Sequence, residues 1–407
     1  MYIEILLAVV LGIISGITAG IITGLTPGIH INLISIIVVS SSAILLRYTS
    51  PISLGCFIIA MAVTHTFLDA IPGIYLGAPD ESQALNVLPG HRLLLQGKGH
   101  DAVVCTIIGS MFCLLLTIFS FPLIIKTMKI TYPLFKEYVG YALLVIIVLL
   151  ILREKTIEKR VWSFVMFFSA GVLGFIVLNF GTLKQPLFHL LSGLFGISIL
   201  LLSLFEKSKI PDQHFSHDID IDRKVLVKAT IASTIVGFLA GFLPGFGSSQ
   251  AAIAAQQFVG EIGDKGFLVL VGGINTVNML VSIATMYTLE KGRNGAIIAV
   301  GNIVGTISFN MMILFLLVSL IVCGTAVVLS LKISRLFAVL ISKVHYTSLV
   351  LGIMMFIVFL TLYFDGLMGL LILITATSLG LTASLKQIGK NHLMGCLIIP
   401  VIVYFVF

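Results

Sequence analysis

Charged residues are scarce in this chain, and their scarcity argues against a soluble fold. Only 10% of the 407 residues are Asp, Glu, Lys or Arg, whereas a soluble domain holds about 25%. Hydrophobic residues make up 58% of the chain, and apolar runs of ~20 residues recur, which is the length that crosses the hydrocarbon core of a bilayer. Because these runs are continuous and do not alternate with polar residues, a transmembrane β-barrel is excluded as well. We therefore predict an all-α, polytopic membrane protein.

Motifs for catalysis, redox chemistry and metal binding are missing too. The five cysteines are scattered through apolar segments without CxxC spacing, which favours buried small hydrophobes. No Walker A sequence, HExxH motif or nucleophile elbow occurs. The loop 212–222 holds several His and Asp residues, but their spacing is more typical of a solvated acidic loop than of a metal site. We predict that the protein is not an enzyme and has no cofactor or metal.

The chain carries a formal net charge of +7. In a membrane protein this excess is explained by the loop Lys and Arg residues that set orientation, so we expect no nucleic acid partner. We expect residues 3–24 to form the first membrane span and not a cleaved signal, because no basic region precedes the apolar run. Placing the larger share of Lys and Arg inside puts the N-terminus outside a cell membrane.

Two apolar runs are interrupted by the same helix-breaking pattern, Gly-x-x-x-Gly-x-x-Pro-Gly, in "GIITGLTPGIHIN" (20–32) and "GFLAGFLPGFGSSQ" (237–250). Proline ends or kinks a helix, and broken backbone at membrane depth survives only where protein or a water-filled cavity satisfies it. A helix that restarts after the break points its free N–H groups and positive dipole end at the gap, which suits an anion. We predict that both breaks meet near the bilayer midplane and form a substrate site.

The predicted substrate-binding residues are those of the breaks and the polar side chains beside them. They are Thr26, Pro27, Gly28, His30 and Asn32 in the first motif, and Pro244, Gly245, Gly247, Ser248 and Ser249 in the second. The hydroxyl, amide and imidazole groups among them can donate hydrogen bonds to carboxylate or phosphate oxygens. The alternative for the glycines of these motifs is close helix packing alone.

A second polar feature is the pair His65 and Asp69 in "AMAVTHTFLDAIPG" (60–73), which lie one helical turn apart on one face. Asp69 is the one acidic residue well inside a predicted span, and a central charge costs about 2.5–3.5 kcal/mol, so it faces a cavity or a partner. The matching segment of the second half (272–285) supplies Asn275. We predict that His65, Asp69 and Asn275 couple an ion; the alternative is a His–Asp pair that only fixes packing.

The two halves of the chain resemble each other, since Gly20, Gly24, Pro27 and Gly28 align with Gly237, Gly241, Pro244 and Gly245. We predict about 10–14 transmembrane or re-entrant helices in two inverted repeats with Pro-Gly-broken helices at the midplane. The first repeat covers 1–205, with an insertion at 71–99 that forms either a re-entrant lid or an inside loop. Residues 206–228 form a polar cytoplasmic linker. The second repeat covers 229–407, with spans that include 295–324, 345–363 and 366–384.

Several stretches together resemble a known family, the large membrane permease subunit of the tripartite tricarboxylate transporters. They are "GIITGLTPGIH", "GFLAGFLPGFG", "DAIPGIYLGAPDESQALNVLPGHRLLLQGKGHDA" and "FGTLKQPLFHLLSGLFGISILLLSLFE". The resemblance implies a permease for di- or tricarboxylates, driven by a proton or sodium gradient, with substrate contacts around Pro27, Gly28, Pro244, Gly245, Gly247 and Ser248. It also implies a small membrane subunit and an extracytoplasmic binding protein as partners.

Two other functions stay open at this point. Helix ends bind phosphate as well as carboxylate, so a translocase of a polyprenyl phosphate lipid carrier is the main alternative. A lateral opening to membrane lipid beside the Pro-Gly breaks favours the translocase, and an aqueous vestibule favours the permease. A membrane scaffold without transport is the third reading, but it gives no reason for two helix breaks inside the bilayer.

Overall fold

The computed structural model describes residues 2–26, 31–77, 81–135, 138–205, 211–215, 219–243, 246–342 and 346–406, and in these ranges the chain folds into helices without a β-strand. Within the same ranges, eight helices are long and apolar enough to cross a membrane: Leu6–Leu25, Pro51–Leu76, Gly99–Phe119, Ile157–Leu178, Arg223–Phe242, Gly263–Leu289, Phe309–Ile341 and Val350–Leu385. The prediction of an all-α, polytopic membrane protein is confirmed.

The first half contains twelve α-helices in its described part, together with a 3₁₀ helix at Glu81–Asn86 and a π-helix at Ser192–Ile197. The α-helices are α1 (Tyr2–Leu25), α2 (Ile31–Ser40), α3 (Ser42–Leu45), α4 (Pro51–Leu68), α5 (Ala70–Leu76), α6 (Val87–Leu95), α7 (Gly99–Phe119), α8 (Phe121–Phe135), α9 (Val139–Leu152), α10 (Ile157–Leu178), α11 (Pro186–Leu191) and α12 (Ser198–Phe205). In the 71–99 insertion, α5, the 3₁₀ helix and α6 pack against one another and contact α7 and the helix Gly263–Leu289 of the second half.

The second half begins at α13 (Arg223–Phe242) and ends at α19 (Gly395–Val406). Between them lie α14 (Ser248–Val259), α15 (Gly263–Leu289), α16 (Gly295–Val304), α17 (Phe309–Ser342), α18 (Tyr346–Leu385) and a 3₁₀ helix at Lys390–Met394. The two most enclosed membrane helices come from opposite halves. Of the residues in the apolar stretch of each helix, 94% are buried in Pro51–Leu76 and 89% are buried in Gly263–Leu289. These two segments contact each other at the centre of the protein.

One predicted span of the second half has different bounds in the structure. The predicted span 295–324 is interrupted at Gly305, where a positive φ of 79° ends α16, and α17 then continues to Ser342. This difference arises because hydropathy records how apolar a segment is and not where one glycine changes the backbone direction. The predicted spans 345–363 and 366–384 correspond to the two parts of α18, which are joined by a kink where Gly366 adopts a φ of 57°.

The first helix of each half packs closely on the third membrane segment of that half. A Cβ atom added to Gly20 of α1 would lie 2.6 Å from the carbonyl oxygen of Met61 and 2.6 Å from Cβ of Thr64 in α4. A real Cβ does not approach other atoms so closely, so the glycine permits the short distance between the two backbones. This contact supports the alternative that the glycines of the first motif serve close helix packing.

The same arrangement occurs in the second half. A Cβ atom added to Gly237 of α13 would lie 3.3 Å from the carbonyl oxygen of Ile274 and 2.7 Å from Cβ of Val277 in α15. As in α1, the glycine meets a carbonyl and then a side chain three residues further along the neighbouring helix. This repeated register agrees with a duplicated fold, while the inversion of the two repeats remains a prediction.

We expect Gly20→Ala to lower the melting temperature of the purified protein, because overpacking at such a contact costs about 1–3 kcal/mol. Gly324→Ala in α17 is the matched control, since nothing lies within 4 Å of its Cβ position. Ala is about 1 kcal/mol better than Gly inside a helix, so the control raises or preserves the melting temperature. Equal melting temperatures for both variants would contradict the close packing of α1 on α4.

Candidate substrate and ion site

A cluster of buried polar side chains lies where α4 and α5 meet α15, and we call it the central polar cluster. Its members are each at most 7% exposed: Thr23, His65, Thr66, Asp69, Gln83, Asn86, Asn275 and Thr276. They come from the end of α1, from the α4–α5 junction, from the insertion and from the second half. Polar groups at this depth are expensive unless they are hydrogen-bonded, so their contacts define what the cluster can do.

The carboxylate of Asp69 is at the centre of this cluster. Its Oδ1 accepts a hydrogen bond from Nε2 of Gln83 at 3.1 Å, and its Oδ2 accepts one from Nδ2 of Asn275 at 2.7 Å. The nearest ring nitrogen of His65, Nε2, lies 3.9 Å from Oδ2. Two amide donors and an imidazole therefore surround one carboxylate, and one of the amides belongs to the second half of the chain. The three residues predicted to couple an ion lie together.

His65 connects this carboxylate to the first Pro-Gly motif. Its Nδ1 lies 3.2 Å from Oγ1 of Thr23, which is near the end of α1. One residue further along α4, the hydroxyl of Thr66 lies 3.5 Å from the hydroxyl of Thr276 in α15. The end of α1 therefore reaches Asp69 through a single imidazole ring, and hydroxyl oxygens of both halves lie nearby.

The first motif ends α1 as its proline and glycine predict. The helix stops at Leu25, the backbone N–H of Thr26 still donates to the carbonyl of Ile22 at 3.0 Å, and a new helix starts at Ile31. The predicted substrate residues Pro27, Gly28 and His30 lie outside the described residues, and so does the side chain of Asn32.

The second motif shows the restarted helix directly. After α13 ends, Leu243 is extended with φ −80° and ψ 130°, Gly247 is extended with φ −83° and ψ 175°, and α14 begins at Ser248. Both Ser248 and Ser249 are buried, and Oγ of Ser248 accepts a hydrogen bond from Nδ2 of Asn278 at 3.0 Å. Pro244 and Gly245 lie outside the described residues.

Two asparagine side chains of α15 therefore contact both parts of the predicted site. Asn275 reaches Asp69, and Asn278, about one helical turn further on, reaches the start of α14. The predicted substrate residue Ser248 and the predicted ion-coupling residue Asp69 are therefore both hydrogen-bonded to α15. Substrate binding at any of these positions stays a prediction.

Sequence reasoning missed Gln83, the second donor to Asp69. It lies in the insertion, which the sequence left open between a lid and an inside loop. The structure buries Gln83 completely, and its Oε1 also accepts from Nδ2 of Asn86. The stretch "PDESQALN" is polar enough to look like a loop, and only its folding against α15 reveals the buried amides.

A second buried acid was also missed, because Asp365 falls between two predicted spans and not inside one. Its carboxylate accepts from the backbone N–H groups of Lys184 and Gln185 at 2.6 and 2.9 Å, and from the ring of His189 at 2.6 Å. The acceptor oxygens are therefore occupied by an extended turn and a neighbouring helix. These hydrogen bonds therefore connect α18 to α11 and to the turn that precedes α11.

Fold and cluster together define a multi-pass helical membrane protein with a polar interior built from both halves of the chain. Comparison with known families makes the assignment specific. The model of the tripartite tricarboxylate transporter TctA family matches residues 7–395, and the chain belongs to this family of transporters. The predicted family resemblance is confirmed.

The chain is also similar to uncharacterized protein MJ1079 of Methanocaldococcus jannaschii, with 30% identity over 377 residues that cover 90% of this chain and 92% of that protein. No solved structure matches the chain.

We expect Asn275→Ala to lower the free energy of unfolding by about 1.5–3 kcal/mol, the range for a hydrogen bond to a charged group. The substitution removes one of the donors to the buried carboxylate of Asp69. Asn302→Ala is the control, because Asn302 lies exposed on α16. Denaturant titration in a mild detergent checks both, and equal losses would show that Asn275 does not support Asp69.

Proposed function

We propose that the protein is an ion-coupled secondary permease for a small organic anion that carries carboxylate groups. The observation that carries the proposal is the buried Asp69, which receives hydrogen bonds from Gln83 of the insertion and Asn275 of the second half. Membership in the TctA family supports carboxylates as the substrate class. Proton and sodium gradients are the two candidate driving forces.

Asp69 has the surroundings that an ion-coupling group needs. A carboxylate inside a membrane protein marks an ion or proton pathway when it faces the bundle interior, and Asp69 is 2% exposed among helices of both halves. Its partners Gln83 and Asn275 are neutral amides, so they orient the carboxylate without cancelling its charge. Protonation of Asp69, or binding of Na⁺ by its oxygens, would change the balance of hydrogen bonds between the halves.

The substrate is proposed to bind where the broken helices restart. The first N–H groups of α14 at Ser248 and of α2 at Ile31 have no partners within their own helices and carry the positive dipole end, which favours an anion. Thr26, Gly247, Ser248 and Ser249 would contact it, together with Pro27, Gly28, His30, Asn32, Pro244 and Gly245. A small membrane subunit and an extracytoplasmic binding protein are the proposed partners in a cell membrane.

Transport tests this proposal directly. In proteoliposomes loaded to impose a proton or sodium gradient, we expect uptake of a labelled carboxylate from a panel of mono-, di- and tricarboxylates. Asp69→Asn keeps the shape of the side chain and removes its charge, so we expect gradient-driven uptake to fall at least tenfold while exchange without a gradient persists.

Asp264→Asn is the matched control, because this acid also belongs to a membrane helix but pairs with Arg92 at its partly exposed end. It should leave uptake within about twofold of the unsubstituted protein. If Asp69→Asn keeps both the rate and the gradient dependence, the ion-coupling role is wrong. If polyprenyl phosphate moves and no carboxylate does, the translocase alternative replaces the permease.

A further inference from the structure

A cavity of about 480 Å³ lies beside the second Pro-Gly motif, between that motif and the last helix, α19. Its polar lining includes Gln250 of α14, Asn278 of α15 and Arg293 of the turn before α16. Gly247 of the motif also borders it, so the cavity adjoins the start of α14. Its size falls in the range of small-molecule sites, roughly 300–1,000 Å³.

Two of the polar side chains in this cavity have unsatisfied atoms. Nε and Nη2 of Arg293 are buried and have no hydrogen-bond partner among the described residues, and the same holds for Oε1 of Gln250. Gln250 is only 5% exposed. A guanidinium keeps its charge, so leaving two of its buried N–H groups without an acceptor is costly unless a ligand supplies one.

The guanidinium of Arg293 is already held in position on one side. Its Cζ lies 5.2 Å from the ring centroid of Tyr132, a cation–π distance. An aromatic contact of this kind uses the face of the planar group and leaves its N–H edges available. The edges of a guanidinium match the two oxygens of a carboxylate.

Most of the other side chains that line the cavity are apolar, among them Leu178, Leu187, Leu397, Pro400 and Val401. Among the described residues that line it, Arg293 is the one charged side chain. A second or third carboxylate on the same ligand would find no second cationic side chain there, and burying a charge without a partner is strongly unfavourable.

We propose that this cavity binds a single carboxylate group attached to an apolar body, with the unpartnered N–H groups of Arg293 as its anchor. The inference rests on the proposed permease function and narrows its substrate class to monocarboxylates with an apolar body. Such a group can belong to a free small acid or to a fatty acid from the membrane, and the experiment separates the two sources.

The test measures ligand-induced thermal stabilisation of the purified full-length protein. The probes are phenylacetate, its neutral amide 2-phenylacetamide, citrate and oleate. We expect phenylacetate to stabilise the protein and the neutral amide and citrate to do so at least tenfold more weakly. Stabilisation by oleate alone would assign the cavity to a membrane fatty acid.

Substitutions then place the ligand. Arg293→Gln should weaken phenylacetate binding at least tenfold, and Arg293→Lys should restore part of it, because Lys keeps the charge but not the paired N–H edges. Lys291→Gln is the matched control, since Lys291 is exposed and its Nζ lies 5.7 Å from the same Tyr132 ring. It should change binding less than twofold.

Each result separates the inference from the proposed function. Unchanged phenylacetate binding in Arg293→Gln, equal binding of the neutral amide, or tighter binding of citrate overturns the inference, and the permease proposal stands if carboxylate uptake is observed in proteoliposomes. Binding that depends on Arg293 without uptake of any carboxylate would support the site and overturn the permease. If Arg293→Gln does not fold, the comparison of phenylacetate with its neutral amide on the unsubstituted protein still tests whether the cavity requires a carboxylate.

Discussion

One buried carboxylate constrains the centre of this protein. Asp69 stands at the junction of two helices, and it accepts hydrogen bonds from an insertion and from the opposite half of the chain. A charge at this depth is tolerated only when fixed donors surround it. The insertion, the end of α4 and the middle of α15 must therefore keep their relative positions for the charge to be satisfied.

Close helix packing makes that arrangement possible. Glycines on α1 and α13 bring these helices within backbone contact of α4 and α15, and the two buried segments then face each other. Membrane helices gain little from apolar burial alone, so small residues and interhelical hydrogen bonds supply much of their specificity. Packing and polar chemistry consequently depend on the same few helices, and a change in one affects the other.

The second motif places a helix break beside a cavity. The break leaves the start of α14 facing inward, with Ser248 held by Asn278 and a cavity beside Gly247. That cavity combines the guanidinium of Arg293 with a lining of mostly apolar side chains. We propose that this combination selects a ligand by charge number as well as by shape. Asn278 and Asn275 of α15 contact Ser248 and Asp69 respectively, and in the proposed function this helix would link substrate and ion.

Composition and local pattern determined the class of this protein. Apolar runs too long for a soluble core predicted the membrane helices, and Pro-Gly pairs predicted where two helices stop. Both predictions succeed because the hydropathy of a segment and the helix-breaking action of proline are local properties of the chain. Sequence also singled out His65, Asp69 and Asn275 by their polarity in apolar surroundings. The one-turn spacing of His65 and Asp69 predicted that these two share a helix face, whereas the contact of Asn275 with Asp69 depends on the packing of α15.

Tertiary structure alone decided the remaining features. Gln83 and Arg293 look like ordinary loop residues in the sequence. Gln83 becomes a donor to Asp69 only because the insertion folds inward. Arg293 becomes the charged residue that lines a cavity only because α19 packs beside it. The contacts of Asp365 were equally invisible. Hydropathy and motif spacing describe a segment by itself, whereas burial and hydrogen bonding depend on which distant segment packs against it.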